Sequence, residues 1–506
     1  MLKSSLLEIL RTFSKQELIK FGDFVRSPYF NKKENVLKLF LEIKKYSPAF
    51  ESENLEKEKV WMNLFPGKQY NYGIIKNIIH DLTGLSERFI LLEHYSEDSY
   101  RCEYDLIEAA NSRNIQKFTK GKIDQFSKRA RSEIDPNKYS IIDDYLLITA
   151  YYNYAKSSFI HEYNLKQDRE ESLRLASDYS LFYFLINSFK LLHNTVAHET
   201  QGNLPLSRTL LEKFFLKLEE HSVLEELLLS ENTEHDSVSK TVICFYLMYK
   251  ALTSDGDRAA YDRFKSYLRK NIEIFSAFEL QNLNNCRITC SINLKSPDSN
   301  SAKESLEWYK FLMEKNILLQ RNGLISVSSM SNVVNYSVKL KETDFAEEFL
   351  NRYAGRLPAD SRDNTYNYCM AMIRFGREEF GKSLESLSKI SDEKLLRKFF
   401  LKKLYLKIYY ELNDYESFVY AFDTFNHFKK RNKLTNEART LAFYNFGNFV
   451  RKLFKLRNSF DKFESENLRK DVYTNLHGEQ SWFIGKLDEI ESWMQSSKSG
   501  KQSVIK

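Results

Sequence analysis

Residues 368–390 read YCMAMIRFGREEFGKSLESLSKI, two apolar runs of helix length that flank the polar turn Arg377–Glu379. In the second run, Phe380, Leu384 and Leu387 recur at the three- and four-residue spacing of one helix face. A short polar turn between two such runs favours antiparallel helices packed side by side. The stretch therefore predicts a helical hairpin.

The same arrangement recurs in the C-terminal third of the chain with a period of 35 residues. Four turns read ETDF, REEF, LNDY and GNFV, and each ends on a bulky side chain, at Phe345, Phe380, Tyr415 and Val450. A fixed period of this length is typical of repeat proteins, in which each repeat is one supersecondary unit. We therefore predict a series of stacked helical hairpins.

These residues resemble the tetratricopeptide repeat, which has a small residue in its first helix, an aromatic residue at the start of its second, and a period of about 34 residues. Ala371 fits the small position, and Phe345, Phe380 and Tyr415 fit the aromatic position. The resemblance covers about residues 330–465. It implies an α-solenoid whose first helices line a groove that binds a peptide or a partner helix.

The family's groove positions, placed on this register, select Tyr368 and Met372 in one repeat and Lys403 and Lys407 in the next. The two lysines are four residues apart, so they share a helix face and could pair with an acidic peptide or a carboxylate terminus. The alternative interpretation is that both lysines only keep the array soluble. The partner implied by the resemblance is a protein or peptide, with acidic chemistry favoured by the lysines.

Composition and punctuation predict an all-α chain. Only 7 prolines and 15 glycines occur in 506 residues, which argues against a many-turned all-β fold, and 42% hydrophobic residues exclude a disordered chain. We expect a compact N-terminal helical domain followed by an irregular α-solenoid of antiparallel helix pairs. The predicted segments are a helical domain at 1–100, an irregular hairpin array at 101–325, tetratricopeptide-like repeats at 326–494 and a flexible tail at 495–506.

The N-terminal domain carries clear helix signals. Ser14 and Glu17 have the spacing of a capping box, and Ser27-Pro28 ends that helix. Asn31 with Glu34 repeats the cap spacing for a second helix. Two further helical stretches follow, so we expect four helices here. The run from Ser27 to Asn31 resembles the opening of uncharacterised bacterial helical proteins.

The charge distribution raises a second possible function. The chain carries a net charge of +7, and residues 401–506 hold 19 Lys plus Arg against 13 Asp plus Glu, so six of the seven excess charges lie there. The basic candidates are Lys429, Lys430, Arg431, Arg451 and Lys455, interleaved with Phe446, Phe449 and Phe454. Basic residues among aromatics can bind single-stranded nucleic acid, although such runs are also typical of a solvated face over core aromatics.

A third possibility comes from Gly376–Ser383, which satisfies the phosphate-loop spacing GxxxxGK[ST]. A phosphate-binding loop needs a strand before it, whereas the run that precedes Gly376 belongs to a predicted helix. Glu378 and Glu379 would also place two negative charges beside a nucleotide. We therefore interpret the motif as a turn between helices, and an ATPase around Lys382 as the less favoured hypothesis.

Other catalytic or metal-binding patterns are weak. Cys286 and Cys290 lie on one helix face but lack a second ligand pair, so core packing is favoured over zinc. Five scattered cysteines do not form a disulfide framework, and no apolar run approaches the roughly 20 residues of a membrane span. We expect a cytoplasmic, non-enzymatic interaction scaffold or adaptor without cofactor, metal or membrane partner, and a nucleic-acid-associated regulator as the alternative.

Overall fold

The computed structural model describes most of the chain. The described residues are 4–97, 99–130, 142–163, 165, 169–202, 209–229, 237–254, 256–292, 294, 301–320, 322–391, 395–431, 437–475 and 479–502. In these ranges the chain forms 24 α-helices, three short 3-10 helices and no β-strand. The prediction of an all-α chain is therefore confirmed.

The chain divides into two compact units, the first of residues 1–131 with 151–173 and the second of residues 132–150 with 174–506. The predicted boundary near residue 100 falls inside the first unit. The first seven helices belong to this unit: α1 (Ser5–Thr12), α2 (Lys15–Arg26), α3 (Glu34–Lys44), α4 (Lys57–Leu64), α5 (Tyr72–Glu97), α6 (Ser99–Asn111) and α7 (Gln116–Ala130).

The next helices, α8 (Ile142–Glu162) and α9 (Arg169–Gly202), contribute residues to both units. The second unit continues with α10 (Leu210–Glu220), α11 (Val223–Leu229), α12 (Ser237–Thr253), α13 (Arg258–Lys270), α14 (Ala277–Ile292) and α15 (Ser301–Glu314). The 3-10 helices are Glu53–Leu55, Ile272–Ile274 and Ala354–Arg356.

The C-terminal helices of the second unit are α16 (Val327–Lys339), α17 (Thr343–Tyr353), α18 (Arg362–Gly376), α19 (Phe380–Ser388), α20 (Leu395–Glu411), α21 (Tyr415–Arg431), α22 (Glu437–Asn458), α23 (Lys462–Asn475) and α24 (Gln480–Gln502). One apolar core joins α15 to α20, and a second joins α20 to α24. The last helix runs into the segment 495–506 that the sequence predicts as a tail.

The N-terminal helices pack around phenylalanines. Phe21 lies at the centre, with its ring centroid 5.1 Å from that of Phe40 and 5.3 Å from that of Phe89. The capping box is confirmed, because the Glu17 amide donates to Ser14 Oγ and the Ser14 amide donates to the Glu17 carboxylate. Five helices form where four were predicted, since α1 buries three leucines against this core.

The predicted cap at Asn31 is wrong. The helix begins at Glu34, and its N-cap residue is Lys33, which makes no side-chain cap hydrogen bond. Asn31 instead closes the preceding loop: its Nδ2 donates to the carbonyls of Val25 and Lys33, and its Oδ1 accepts from the Lys33 amide. A short polar side chain competes in this way for nearby backbone groups, so cap spacing alone misplaced the helix start.

Three successive turns in the second unit share one conformation. Lys341, Glu378 and Asn413 have φ values of 62°, 62° and 57°, each one residue before the N-cap of the next helix. In each turn the amide that follows donates back across the helix end, in the pairs Glu342 to Ser337, Glu379 to Arg374 and Asp414 to Tyr409, at 2.8–2.9 Å. These are Schellman caps, which satisfy the last carbonyls of one helix and reverse the chain into the next.

The fourth predicted turn, at Gly447–Val450, is wrong because these residues lie inside α22. Gly447 serves packing, since a Cβ there would overlap the Phe422 ring. The three observed turns are also not evenly spaced. The left-handed residues 341 and 378 are 37 apart, whereas 378 and 413 are 35 apart. Phe345 is the third residue of its helix, while Phe380 and Tyr415 are the first of theirs.

Candidate partner-binding site

The face of α20 that carries Lys403 and Lys407 is a polar site of the second unit flanked by aromatic rings. Lys407 is largely enclosed, with 14% of its side chain exposed, and its Nζ lies 2.6 Å from Oε2 of Glu479. The same ammonium group lies 5.6 Å from the Phe375 ring centre and 5.2 Å from that of Trp482. Lys403 lies over the Phe446 ring at 5.2 Å. Aromatic rings that flank a cation hold it through their electron-rich faces.

Glu479 lies in a positively charged environment. Burial opposes its ionisation, yet the charges of Lys407, Lys403 and Lys339 and the hydrogen bond from Lys407 lower its pKa from 4.5 to about 2. Glu479 is therefore a carboxylate at neutral pH. Burial by the surrounding protein and repulsion from Lys407 lower the pKa of Lys339, whereas the negative charge of Glu479 raises it; the net effect is a lowered pKa. Solvent still reaches the Lys339 side chain.

The first turns of α24 complete the site opposite α20. The indole Nε1 of Trp482 donates to Oε1 of Glu411 at 2.9 Å, and Nζ of Lys486 lies 2.9 Å from Oε2 of the same carboxylate. The Trp482 ring also packs edge-on against Tyr410, with 5.5 Å between centroids. Glu411 is thus bridged by two side chains of α24 and is itself only 12% exposed.

The other two predicted groove residues pack against the core of the second unit. Met372 lies in the core that joins α15 to α20 and is 8% exposed, and Tyr368 is half-buried against the same core. The structure therefore brings Lys403 and Lys407 together around Glu479, whereas Met372 serves mainly as packing in α18.

The basic residues proposed for nucleic-acid contact are engaged within the chain where their side chains are described. The guanidinium group of Arg451 lies 4.9 Å from the Phe422 ring centre, and Nζ of Lys455 lies 2.7 Å from the Glu464 carboxylate. The interleaved Phe446, Phe449 and Phe454 are buried in the core that joins α20 to α24. Lys429, Lys430 and Arg431 fall in α21, but their side chains lie outside the described residues.

The phosphate-loop letters form a turn between two helices. Gly376 ends α18, Glu378 is left-handed, and Phe380 begins α19, so a helix stands where a phosphate loop requires a strand. Nζ of Lys382 pairs with Glu379 at 3.2 Å, and Ser383 donates to the Ala371 carbonyl at 2.7 Å. The Ser383 hydrogen bond joins α19 to α18, whereas the Lys382 pair is local to the start of α19.

Cys286 and Cys290 are both buried in α14, and burial raises the pKa of Cys290 to about 12 and that of Cys286 well above its usual value. Protonated thiols of this kind pack as small apolar groups. Across the residues that the structure describes, no group of three His, Cys, Asp or Glu side chains is placed to hold a metal ion. Within the same residues, no helix is long and apolar enough to span a membrane.

Sequence reasoning found the lysines but missed Glu479, Trp482 and Glu411, which bind or flank them. Glu479 lies 72 residues after Lys407, and no local pattern joins the two positions. The available signal was the spacing of Glu479, Trp482 and Lys486, which fall three and four residues apart on one helix face. Comparison of the chain with protein-family models, curated proteins and solved structures gives no match.

Proposed function

We propose that this chain is a non-enzymatic scaffold or adaptor that binds a partner helix or peptide with acidic side chains. The binding surface comprises the faces of α16, α18 and α20 that surround Lys339, Lys403 and Lys407. The acidic chemistry follows from the three cations, because a carboxylate is the group that gains most from their combined charge.

The order of helix contacts supports an α-solenoid of the tetratricopeptide kind in the second unit. Each odd-numbered helix from α17 to α23 contacts the helix before it, and α16, α18, α20 and α22 each contact the next even-numbered helix. Paired helices that also contact their counterparts in the next pair are typical of stacked repeats. In such arrays the first helices of the pairs line the binding surface, and here the lysines lie on two of those helices.

The single observation that carries the proposal is the enclosed ion pair of Lys407 with Glu479, whose charged atoms lie 2.6 Å apart, with the rings of Phe375 and Trp482 beside the ammonium group. The positive charges of Lys403 and Lys339 add to that of Lys407 in favouring the ionised form of Glu479. A site that already accommodates one carboxylate among aromatic rings is therefore suited to acidic side chains from a partner.

The test is affinity capture from native lysate with the full chain as bait. We expect one or more proteins to be retained by the wild type and lost with Lys403→Glu plus Lys407→Glu. The control is Lys452→Glu plus Lys455→Glu, which changes the net charge equally on α22. Lys407→Met, which keeps the apolar stem between Phe375 and Trp482, separates loss of charge from loss of folding. Equal retention by all these variants would reject the site.

A further inference from the structure

The contacts of Glu479 and α24 show how this site is occupied in the free chain. We propose that Glu479 and the first two turns of α24 are an internal ligand of the α20 surface. We also propose that the partner is a helix presenting the same side chains: a carboxylate, an aromatic ring three residues later and a cation seven residues later. This inference rests on the proposed function and specifies the ligand of the same site.

The spacing of the contacting residues supports a helix as the ligand. Glu479, Trp482 and Lys486 contact Lys407, Tyr410 and Glu411, which lie three and four residues apart on α20. Anchors at positions i, i+3 and i+7 mark a helix that lies in a groove. The two sets are complementary in charge, because Glu479 pairs with Lys407 and Lys486 pairs with Glu411.

A second face of α24 packs on α22 and α23. Phe483, Leu487 and Ile490 lie in the apolar core that also contains residues of α22 and α23. Phe483 packs against Phe446 and Phe449, with ring centroids 5.3 Å and 6.1 Å apart. Apolar burial therefore holds α24 on α22 and α23, whereas two ion pairs and the Trp482 indole, which also packs on Tyr410, hold its first turns on α20.

This division makes the polar contacts exchangeable. A partner helix that supplies its own carboxylate and ring can replace Glu479 and Trp482 on α20 while Leu487 and Ile490 stay buried. The exchange trades one carboxylate for another on Lys407, so no charge is left buried without a partner. Binding of the partner and docking of the first turns of α24 are then mutually exclusive, which makes the contact autoinhibitory.

The experiment uses the full chain and a fluorescein-labelled synthetic peptide, HGEQSWFIGKLDEI, with the sequence of residues 477–490. Fluorescence anisotropy measures its affinity for the wild type and for Glu479→Gln, in which the internal ligand is weakened. We expect the variant to bind the peptide at least about tenfold more tightly. If the first turns of α24 leave the α20 surface open in only about one molecule in ten, the apparent affinity of the wild type for the peptide falls about tenfold. Adding Lys407→Met to the variant should abolish binding.

A peptide in which the residues corresponding to Glu479 and Trp482 are replaced by Gln and Ala is the matched control and should not bind. Hydrogen exchange provides the second measurement: excess peptide should raise exchange in the first turns of α24 in the wild-type chain, while Leu487 to Ile490 remain protected. The internal-ligand assignment would be overturned if wild type and Glu479→Gln bound the peptide equally and the peptide did not raise hydrogen exchange in the first turns of α24.

Two further outcomes separate this inference from the proposed function. If no variant binds the peptide while lysate capture still depends on Lys403 and Lys407, the ligand assignment fails and the proposed function stands. If capture does not depend on the lysines, the proposed function fails. A concentration-dependent dimer of Glu479→Gln in light scattering would assign the surface to a second copy of this chain and overturn the partner version.

Discussion

Nζ of Lys407 lies 2.6 Å from Oε2 of Glu479, 72 residues further along the chain. The pair links α20 to the residue that precedes α24, and the rings of Phe375 and Trp482 flank it. A lysine that a repeat register selects for binding an acidic partner is therefore already bound to an acid of its own chain. We expect the stability of the second unit to depend on this pair, and under the proposed function we expect partner binding to depend on it as well.

Stability should depend on pH through Glu479. Its pKa is about 2 in the folded chain against an ordinary value of 4.5, so folding favours the ionised form. The stabilisation is fully present above pH 4.5 and is lost as the pH falls from about 4.5 towards 2. Two to three pKa units correspond to about 3 kcal/mol. Chemical unfolding of wild type and Glu479→Gln should differ by this order at pH 7 and converge near pH 2.

Glu464→Gln is the matched control, because Glu464 makes an exposed ion pair with Lys455. Exposed pairs contribute little, so its effect should stay within about 0.5 kcal/mol at pH 7. An effect of Glu479→Gln no larger than that of this control would contradict a stabilising role for the Lys407–Glu479 pair.

Gly376→Ala should destabilise the second unit. A Cβ at this position would lie 2.7 Å from Cγ1 of Val338 and 3.2 Å from Cγ2 of Thr343, and both neighbours are β-branched and stiff. We expect a loss of about 1–3 kcal/mol in thermal or chemical unfolding, despite the better helix propensity of alanine.

Gly381 is the control for that substitution because it is the other glycine of the phosphate-loop letters. A Cβ there meets nothing within 4 Å, and the residue lies in α19. Gly381→Ala should therefore be neutral or stabilising by up to about 1 kcal/mol. Opposite signs at the two positions agree with a helix-packing role, whereas equal losses would contradict it.

Lys382→Ala should change neither nucleotide binding nor stability by a measurable amount. Lys382 is 62% exposed and pairs only three residues back, with Glu379, and i,i+3 surface pairs contribute about 0.5 kcal/mol at most. Isothermal titration with ATP and magnesium should give no heat of binding for wild type or variant. Binding by the wild type that Lys382→Ala removes would reinstate the phosphate-loop hypothesis.

Single-stranded oligonucleotides should not bind tightly, even at low salt. Phe446, Phe449 and Phe454 are buried and cannot stack with bases, and Lys455 already pairs with Glu464. A fluorescence titration at about 20 mM salt should show no saturable binding. Binding that weakens steeply with salt and depends on Arg451 and Lys455 would support the nucleic-acid alternative instead.

Local signals in the sequence predicted the helices well. The Ser14 and Glu17 capping box and the hairpin around Gly376 were recognised from spacing alone, because cap chemistry and helix periodicity act over a few residues. Predictions of turns failed where one residue type can serve two structural purposes. Gly447 fits a turn and equally fits a close approach by Phe422 inside a helix, and only packing decides between them.

The positions of the helix-reversing turns were harder to predict because their left-handed residue has no fixed type. Lys341, Glu378 and Asn413 all adopt the left-handed conformation, yet only asparagine is a usual choice there. The candidate site was predicted in part: the resemblance to tetratricopeptide repeats selected Lys403 and Lys407, but Glu479 is distant in sequence and reaches Lys407 only through tertiary packing.

The most direct test of the account is zero-length carbodiimide cross-linking of the full chain, which joins a lysine only to a carboxylate that it contacts. In the free chain, mass spectrometry should identify a link between Lys407 and Glu479. With a captured partner bound, that link should weaken and links from Lys403 or Lys407 to partner carboxylates should replace it. A Lys407 to Glu479 link of unchanged yield in the complex, with no link from either lysine to the partner, would contradict the account.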